Sequence, residues 1–361
     1  MQAPLITPPH THDHDYGDEL RGVIDGFLAD RLSHAAAIHP HYAELWQEVG
    51  RLLGTGGKRL RSRMVLLSYS LFGGDDVHSI LPAAAAQELL HVGMLIHDDI
   101  IDRDYIRYGI DNVAGGYKKR YAAFVADDAE RLHYAHSAAI LGGDLLLSEA
   151  YLLMAESNVD AEKIIAVQRL LGRGIFEVIG GELLDTETAF RGDGIATPED
   201  VALYKTASYT FTLPFLVGAL LAGASEEDQA YIRTFGSNLG IAFQLRDDII
   251  GVFGDEAETG KSSTGDIREG KRTYMVELFY ELASESQRAE FDNRFGKQSL
   301  TNEQCDDVRA LLKDSGALAQ TEQSIAEYEA KARRALEQMT VTQSFAGQLE
   351  QLIQVATKRS K

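Results

Sequence analysis

Cysteine and proline are scarce in this chain, with one cysteine and seven prolines in 361 residues. The single cysteine, Cys305, excludes an intrachain disulfide and fits a reducing compartment, so we expect a cytoplasmic protein. The small number of prolines leaves room for long helices, because proline lacks the backbone N–H that a helix interior requires.

Positive charge and long apolar runs are also scarce. The chain has 35 Lys and Arg against 55 Asp and Glu, and this net charge of −20 argues against a nucleic-acid partner and an anionic membrane surface. No uninterrupted apolar run reaches the roughly 18–20 residues of a membrane span. No basic segment leads into an apolar one near the N-terminus. We therefore expect no integral membrane segment.

Helical periodicity continues through nearly the whole chain after Asp18. Leu, Ala, Ile and Val recur at three- and four-residue intervals, and alternating strand patterns bounded by Asn-Gly or Asp-Gly turns are missing. No linker separates two halves. These patterns predict an all-α protein with a single large helical domain over residues 17–361. We expect residues 1–16, which include three histidines, to be a flexible tail rather than a metal site.

One apolar run ends in the sequence HDDIID, which contains Asp98 and Asp102. Residues four apart on a helix share one face, with Cβ atoms roughly 5–6 Å apart. Two carboxylates that close repel each other unless a cation lies between them, and Mg²⁺ prefers such oxygen ligands. An isolated motif of this kind is more often a solvated acidic helix end.

The arrangement occurs a second time, where FQLRDD places Asp247 and Asp248 after another apolar helical run. Two acidic helix ends that face one cavity can hold several Mg²⁺ ions around a diphosphate. Metal ions absorb the negative charge that develops on a departing diphosphate. The repetition therefore predicts a magnesium–diphosphate site.

The first cluster of cations follows two glycines. Lys58 and Arg61 are three residues apart, so a helix places them on one face, where they can bind phosphate oxygens. A solvated basic helix start is an equally good explanation for this cluster alone. His91 lies two helical turns before Asp98; such a residue is usually a buried core histidine, but here it can donate to a second diphosphate.

Other polar residues lie at the start of an apolar segment and in a glycine-punctuated loop. Lys205 and Thr206 begin the segment, and Gln244 lies three residues before the second acidic pair, so its amide shares that face. The loop carries Lys261 and Lys271, and a mobile lysine-bearing loop beside a diphosphate can act as a lid. Considered alone, it is an ordinary polar loop.

These motifs, in this order, resemble those of the trans-isoprenyl diphosphate synthases. The resemblance covers about residues 50–275 and rests on GGKR, HDDIID, Gly143-Asp144, GELLD, Lys205-Thr206, FQLRDD and the GK–D–GK loop. It implies the isoprenoid synthase type I fold, with about a dozen helices around a deep central cavity, usually as a homodimer. It also implies head-to-tail addition of an allylic diphosphate to isopentenyl diphosphate.

The resemblance further implies a role for each matching residue. Mg²⁺, three ions per site, would be bound by Asp98, Asp102 and Asp247, with Asp99 in support. The allylic diphosphate would be held by Arg107, Lys205, Lys261 and Lys271, and isopentenyl diphosphate by Lys58, Arg61 and His91. Thr206 and Gln244 would lie beside the reacting carbons and stabilise an allylic cation. The departed diphosphate would take the proton, so no protein base is assigned.

Two positions depart from the family pattern. Gly251 stands where the second acidic motif usually has a third aspartate, and Asp255, eight residues after Asp247, is a possible source of outer charge. Tyr108 stands where a second arginine commonly binds isopentenyl diphosphate. Because tyrosine donates one hydrogen bond and carries no charge, we expect that pocket to bind more weakly or to use another cation.

Product length is inferred from Gly93 and Met94, five and four residues before Asp98. Short-chain family members usually block this depth of the pocket with aromatic rings, and neither residue is aromatic. We therefore predict a product longer than fifteen carbons, with the twenty-carbon geranylgeranyl diphosphate as first choice.

Two other functions stay open at this point. A class I terpene cyclase shares the fold and the first acidic motif but needs no second diphosphate site, so Lys58, Arg61 and His91 argue against it. A non-catalytic subunit of a heteromeric synthase tolerates a missing aspartate such as the one at Gly251. The intact first motif and the paired lysines favour a catalytic chain.

Overall fold

The computed structural model describes residues 16–55, 59–191, 195–254, 263–339 and 343–358. Helices occupy most of these ranges, so the predicted all-α class is confirmed. Within them the exception is one short antiparallel hairpin, in which β1 (Ile106–Arg107) pairs with β2 (Ile110–Asp111). The expected tail, residues 1–16, lies outside the described residues except for Tyr16.

Two compact units make up the chain. The N-terminal unit comprises the described residues of Pro8–Arg169 together with Val217–Ala222. The C-terminal unit comprises the described residues of Leu170–Leu216 and Gly223–Lys361. A single domain over residues 17–361 stays a prediction.

A long apolar helix, α4, is the main core element of the N-terminal unit. The helical elements between Gly17 and Ala155 are α1 (Gly17–Ile38), α2 (Pro40–Gly54), α3 (Leu60–Leu71), a 3-10 turn (Val77–Ile80), α4 (Leu81–Ile101), α5 (Val113–Arg120) and α6 (Asp128–Ala155). α4 packs chiefly against α6. Small residues let the two backbones approach, since a Cβ on Gly93 would lie 3.2 Å from the carbonyl oxygen of Gly143.

Two helices, α7 (Ala161–Arg191) and α9 (Leu213–Ala222), contribute residues to both units. The remaining elements belong to the C-terminal unit: α8 (Pro198–Val201), a π-helix (Ala202–Thr212), α10 (Glu226–Phe253), α11 (Gly265–Glu269), α12 (Tyr274–Leu282), α13 (Glu285–Asp292), α14 (Asn302–Asp314), α15 (Ala317–Gln338) and α16 (Gln343–Lys358). α10 packs chiefly against the π-helix and α15. A Cβ on Gly240 would overlap Ala207, so glycine permits this close contact.

In the part of the chain that the structure describes, two helical stretches are long and apolar enough to span a membrane by length and composition, namely Val77–Ile101 and Asp128–Ala155. In their most apolar windows, 78% and 44% of the residues are buried inside the protein. Because core helices of proteins outside membranes pass the same test, this is a weak indication of a membrane span. The expectation of no membrane segment is not contradicted.

Candidate active site

The first acidic motif lies at the C-terminal end of α4. Asp98 and Asp99 are in its last turn, and Asp102 follows with helical backbone angles, so Asp98 and Asp102 share a face. Arg103 then adopts a left-handed conformation (φ 60°), and the N–H of Asp104 donates to the carbonyl of Asp99 at 2.8 Å. This backbone pattern ends the helix at the motif. Asp98 is partly exposed and Asp102 is exposed, so both can reach a ligand.

Asp99, in contrast, is buried and binds Arg107. Nε of Arg107 donates to Oδ1 of Asp99 at 2.8 Å, and Nη2 donates to Oδ2 of Asp98 at 3.3 Å. Burial raises the pKa of Asp99 to about 6, although the hydrogen bonds from Arg107 oppose this rise. Asp99 therefore anchors Arg107 beside the exposed carboxylate, where a guanidinium can also contact a substrate phosphate.

A tight hairpin follows the motif. Arg107 pairs with Ile110, which leaves a two-residue loop of Tyr108 and Gly109. Both loop residues have positive φ (55° and 76°), as a type I′ turn requires. A bulky residue rarely adopts positive φ, so the hairpin holds Tyr108 in an otherwise unfavourable conformation.

A cavity of about 140 Å³ in the N-terminal unit brings together two of the predicted isopentenyl diphosphate ligands. Arg61 and His91 line it, as do Tyr108, Arg59 and Glu88. Burial lowers the pKa of His91 well below its usual value, and nearby arginine charges lower it further. His91 is therefore neutral near pH 7, and a neutral imidazole can donate from one ring nitrogen. The third predicted ligand, Lys58, lies outside the described residues.

The second acidic motif lies within the last two turns of α10, where Asp247 is partly exposed and Asp248 is buried. The amide of Gln244 donates to Asp248 at 2.9 Å, and its carbonyl oxygen accepts from the hydroxyl of Thr206 at 2.7 Å. The structure thus brings Thr206, Gln244 and the acidic pair together. Their position beside reacting carbons stays a prediction.

Lysine charge compensates the buried acid of this motif. Burial raises the pKa of Asp248 to about 6, while the charge of Lys271 and the hydrogen bond from Gln244 oppose the rise. Loss of solvent lowers the pKa of Lys271, but neighbouring carboxylates, chiefly Asp248 and Asp266, outweigh this and raise it overall. Lys271 consequently stays protonated beside the acidic motif.

Lys205 is held by two acidic residues of α7. Its Nζ lies 2.6 Å from Asp185 and 3.0 Å from Glu182. A Cβ on Gly181 would overlap the backbone of Lys205, so glycine lets α7 and the π-helix approach. The GELLD stretch therefore positions Lys205.

Lys205 and Thr206 both lie in the π-helix. Such wide helical turns occur often at functional sites.

The departure at Gly251 has a structural explanation. A Cβ at this position would overlap Oδ2 of Asp266. The carboxylate of Asp266 thus lies where the side chain of a third aspartate would begin. Sequence reasoning missed Asp266, although the GK–D–GK loop contains it. Asp255, named as a possible substitute, lies outside the described residues, as does Lys261.

The two positions chosen for product length differ in their surroundings. A Cβ on Gly93 would lie 3.1 Å from the Cβ of Leu146 on α6, so Gly93 is needed for helix packing. Met94 is partly exposed and one turn before Asp98, the placement expected of a pocket-lining residue. Both roles stay predictions, and Met94 is the cleaner position to test.

Among the described residues, no three carboxylate, histidine or cysteine side chains form a ready-made metal site. The donors present nevertheless fit Mg²⁺, which takes one or two protein carboxylates and completes its shell with water and phosphate oxygens. Asp98 and Asp102, on one helix face, are donors of this kind.

Comparisons with known proteins identify the family of the chain. The family model for polyprenyl synthetases matches residues 43–313. The geranylgeranyl diphosphate synthase of Sulfolobus acidocaldarius is 36% identical over 265 residues, which are 72% of this chain and 74% of that protein. The geranylgeranyl pyrophosphate synthase of Corynebacterium glutamicum, solved with isoprenyl diphosphate and magnesium, is similar with a TM-score of 0.86 at 29% identity, over 95% of this chain and 98% of that one.

The chain belongs to the polyprenyl synthetase family. It is a trans-prenyltransferase, as the sequence predicted. Relatives differ in product: the geranylfarnesyl diphosphate synthase of Aeropyrum pernix is 30% identical over 311 residues, 84% of this chain and 90% of that protein.

Proposed function

We propose that this prenyltransferase condenses an allylic diphosphate with isopentenyl diphosphate and releases geranylgeranyl diphosphate. The observation that carries the proposal is the cavity that brings Arg61 and His91 together, because a second diphosphate site is what an elongating enzyme needs and a cyclase does not. Similarity to geranylgeranyl diphosphate synthases and the non-aromatic Met94 support the twenty-carbon product.

In the N-terminal unit, the assigned metal ligands are Asp98 and Asp102. Bound Mg²⁺ would neutralise charge on the leaving diphosphate. Arg107, anchored by Asp99, donates to the allylic diphosphate and holds it against the acidic helix end. Without the carboxylate of Asp99, the guanidinium group of Arg107 could adopt other orientations.

In the C-terminal unit, Asp247 is the assigned metal ligand. Lys205 and Lys271 bind the allylic diphosphate, with Lys261 as a fourth cation in the set. Carboxylates position both described lysines, so each can hold one orientation before the substrate arrives.

The reaction proceeds by cleavage of the allylic C–O bond, whose electron pair leaves with diphosphate. The oxygen dipoles of Thr206 and Gln244 stabilise the resulting allylic cation. The double bond of isopentenyl diphosphate attacks this cation and forms the new C–C bond. A diphosphate oxygen then accepts the proton lost from the isopentenyl unit, so no protein base takes part.

Product chromatography tests this function. Purified protein with Mg²⁺ is incubated with isopentenyl diphosphate and, separately, with each allylic primer. We expect geranylgeranyl diphosphate in every productive incubation and no activity after chelation of the metal. Hydrocarbon formed from an allylic diphosphate alone would identify a cyclase and contradict the proposal.

We further propose that two copies associate, as the family resemblance implies, and that α6 forms the contact between them. Leu141 and Leu152 are three helical turns apart on one face, and they are 58% and 52% exposed. Exposed leucines on one face of an apolar helix are available to pack against a second copy of the chain. A dimer contact there also explains an apolar helix without a membrane, in keeping with a cytoplasmic enzyme. Light scattering should show a dimer for the native chain and a monomer for Leu141→Glu/Leu152→Glu.

A further inference from the structure

The cavity of the N-terminal unit contains one more cation than the family pattern accounts for. Its polar lining consists of Arg59, Arg61, Glu88, His91 and Tyr108, and the rest of the lining is aliphatic. With His91 neutral, the charged groups are two guanidinium groups and one carboxylate. Arg59 is one of these two cations, although no role has been assigned to it so far.

The backbone fixes where Arg59 begins. It lies immediately before α3 with a left-handed conformation (φ 45°), and its carbonyl accepts from the N–H of Arg63 at 3.2 Å. Non-glycine residues seldom adopt this conformation. A residue with this backbone strain, beside a cavity, is more easily explained by a functional role than by helix capping, since Arg59 makes no side-chain cap.

The guanidinium group of Arg59 is incompletely satisfied. Its Nη1 is buried and makes no hydrogen bond to any residue in the described part of the chain. Burial lowers the pKa of Arg59, and the charge of Glu88 opposes this. Glu88 itself accepts from the backbone N–H of Ser62 at 3.1 Å and from its hydroxyl. A buried donor without an acceptor is unfavourable, and an anion in the cavity would remove that penalty.

Position 108 lacks the charge that Arg59 provides. Tyr108 lines the same cavity, where its hydroxyl can donate one hydrogen bond but cannot balance a phosphate charge. We propose that Arg59 binds the diphosphate of isopentenyl diphosphate together with Arg61, and so supplies the positive charge that Tyr108 lacks. This inference rests on the proposed function and names a further ligand of its second substrate.

The direct test is steady-state kinetics of Arg59→Met, which keeps an unbranched apolar stem and removes the guanidinium donors. A lost charge-assisted contact to phosphate should raise KM for isopentenyl diphosphate about 10–100-fold. Because this diphosphate does not leave in the reaction, kcat and KM for the allylic diphosphate should change less than about twofold. The control is Arg21→Met, which removes an exposed charge near Arg59 that does not line the cavity and should leave both KM values unchanged.

A rescue separates ligand binding from a structural role at the start of α3. In the Arg59→Met background, Tyr108→Arg should lower the raised KM for isopentenyl diphosphate at least tenfold. This is roughly the effect of restoring one charged contact. In the native background the same Tyr108→Arg change should lower KM less than about threefold, because the cation is already present. A tenfold gain in the native background, or no rescue, would overturn the inference.

The outcomes distinguish this inference from the proposed function. Failure of the native enzyme to elongate any allylic primer with isopentenyl diphosphate overturns the proposed function. An active native enzyme whose Arg59→Met variant keeps KM for isopentenyl diphosphate within twofold overturns only the role of Arg59. If Arg59→Met does not fold, the native-background Tyr108→Arg measurement still decides.

Discussion

The two acidic motifs, on α4 and on α10, share one arrangement and differ in what surrounds it. In each adjacent pair one aspartate is partly exposed (Asp98, Asp247) and the next is buried (Asp99, Asp248). Consecutive helical residues are about 100° apart around the axis, so one faces solvent and the next faces the core. The exposed member suits metal binding, and the buried member organises polar neighbours.

The difference lies in those neighbours. Asp99 makes direct hydrogen bonds to Arg107, whereas Asp248 accepts from Gln244 and is compensated by Lys271 at longer range. The α4 motif therefore has a rigid, bidentate-capable cation, and the α10 motif has an amide and a flexible point charge. One acidic motif is suited to hold a substrate in a defined orientation, and the other to stabilise its charge.

The largest expected effect comes from the partly exposed aspartates of the two motifs. Asp98→Ala and Asp247→Ala should each lower kcat about 10³-fold or more, because a metal ligand contributes several kcal/mol of charge stabilisation. Circular dichroism should show an unchanged helical content. Asp104→Ala, an exposed acid near the first motif, serves as control and should keep kcat within threefold. Near-native turnover in either test variant would refute the metal assignment.

The buried aspartates should matter less for rate and differently from each other. Asp99→Asn removes the carboxylate that anchors Arg107 and should raise KM for the allylic diphosphate about 10–100-fold. Asp248→Asn keeps a hydrogen-bond partner for Gln244 and should raise KM for the allylic diphosphate less than tenfold. Equal effects in both variants would show that the difference in neighbours has no functional consequence.

Restoring the family motif should be harmful. Gly251→Asp places a side chain where Asp266 lies, so we expect kcat/KM to fall about tenfold, the size of one disturbed charged contact, rather than to rise. Gly180→Ala is the matched control, because a Cβ there meets nothing within 4 Å. An increase in activity for Gly251→Asp would mean that Asp266 does not take the place of the absent aspartate.

The pH dependence of stability offers a finer comparison. The pKa of Asp99 and of Asp248 is raised to about 6 in the folded chain, above the usual carboxyl value, so folding takes up protons. In metal-free protein each of these two ionised carboxylates therefore lowers the free energy of unfolding above pH 6. This destabilisation disappears as the pH falls through 6 toward 4, because the carboxyl groups become protonated. The melting temperature of Asp99→Asn/Asp248→Asn relative to the native chain should be higher at pH 8 than at pH 5. A difference in melting temperature that is the same at both pH values would contradict the raised pKa values of Asp99 and Asp248.

The smallest expected change is in product length. The residue four before the exposed aspartate is Met94 on α4 and Phe243 on α10, and Phe243 already packs on Phe211 with ring centroids 5.3 Å apart. Met94→Phe should shorten the main product to fifteen carbons with little change in total turnover. Gly93→Phe should instead lower the melting temperature, because its side chain meets α6. An unchanged product from Met94→Phe would exclude this position as the determinant.

Local patterns in the sequence were sufficient to predict which neighbouring residues share a helix face in the candidate site. Asp98 and Asp102 share a face, as predicted, because helical backbone angles continue to Asp102. Gln244 and Asp247 also share a face, because α10 is continuous over both residues. Contacts between distant residues were not predictable. The pairing of Lys205 with Asp185 depends on how α7 packs against the π-helix, and no local rule specifies that packing.

By itself the sequence determined the helical class, the family and the acidic and basic residue types, since periodicity and motif spacing are properties of neighbouring residues. Only the tertiary structure decided which aspartate of each pair is buried, that Asp266 lies against Gly251, and that Arg59 lines the cavity with Tyr108. The reason is physical: burial and electrostatic partnership depend on what packs against a residue, and these partners are far away along the chain.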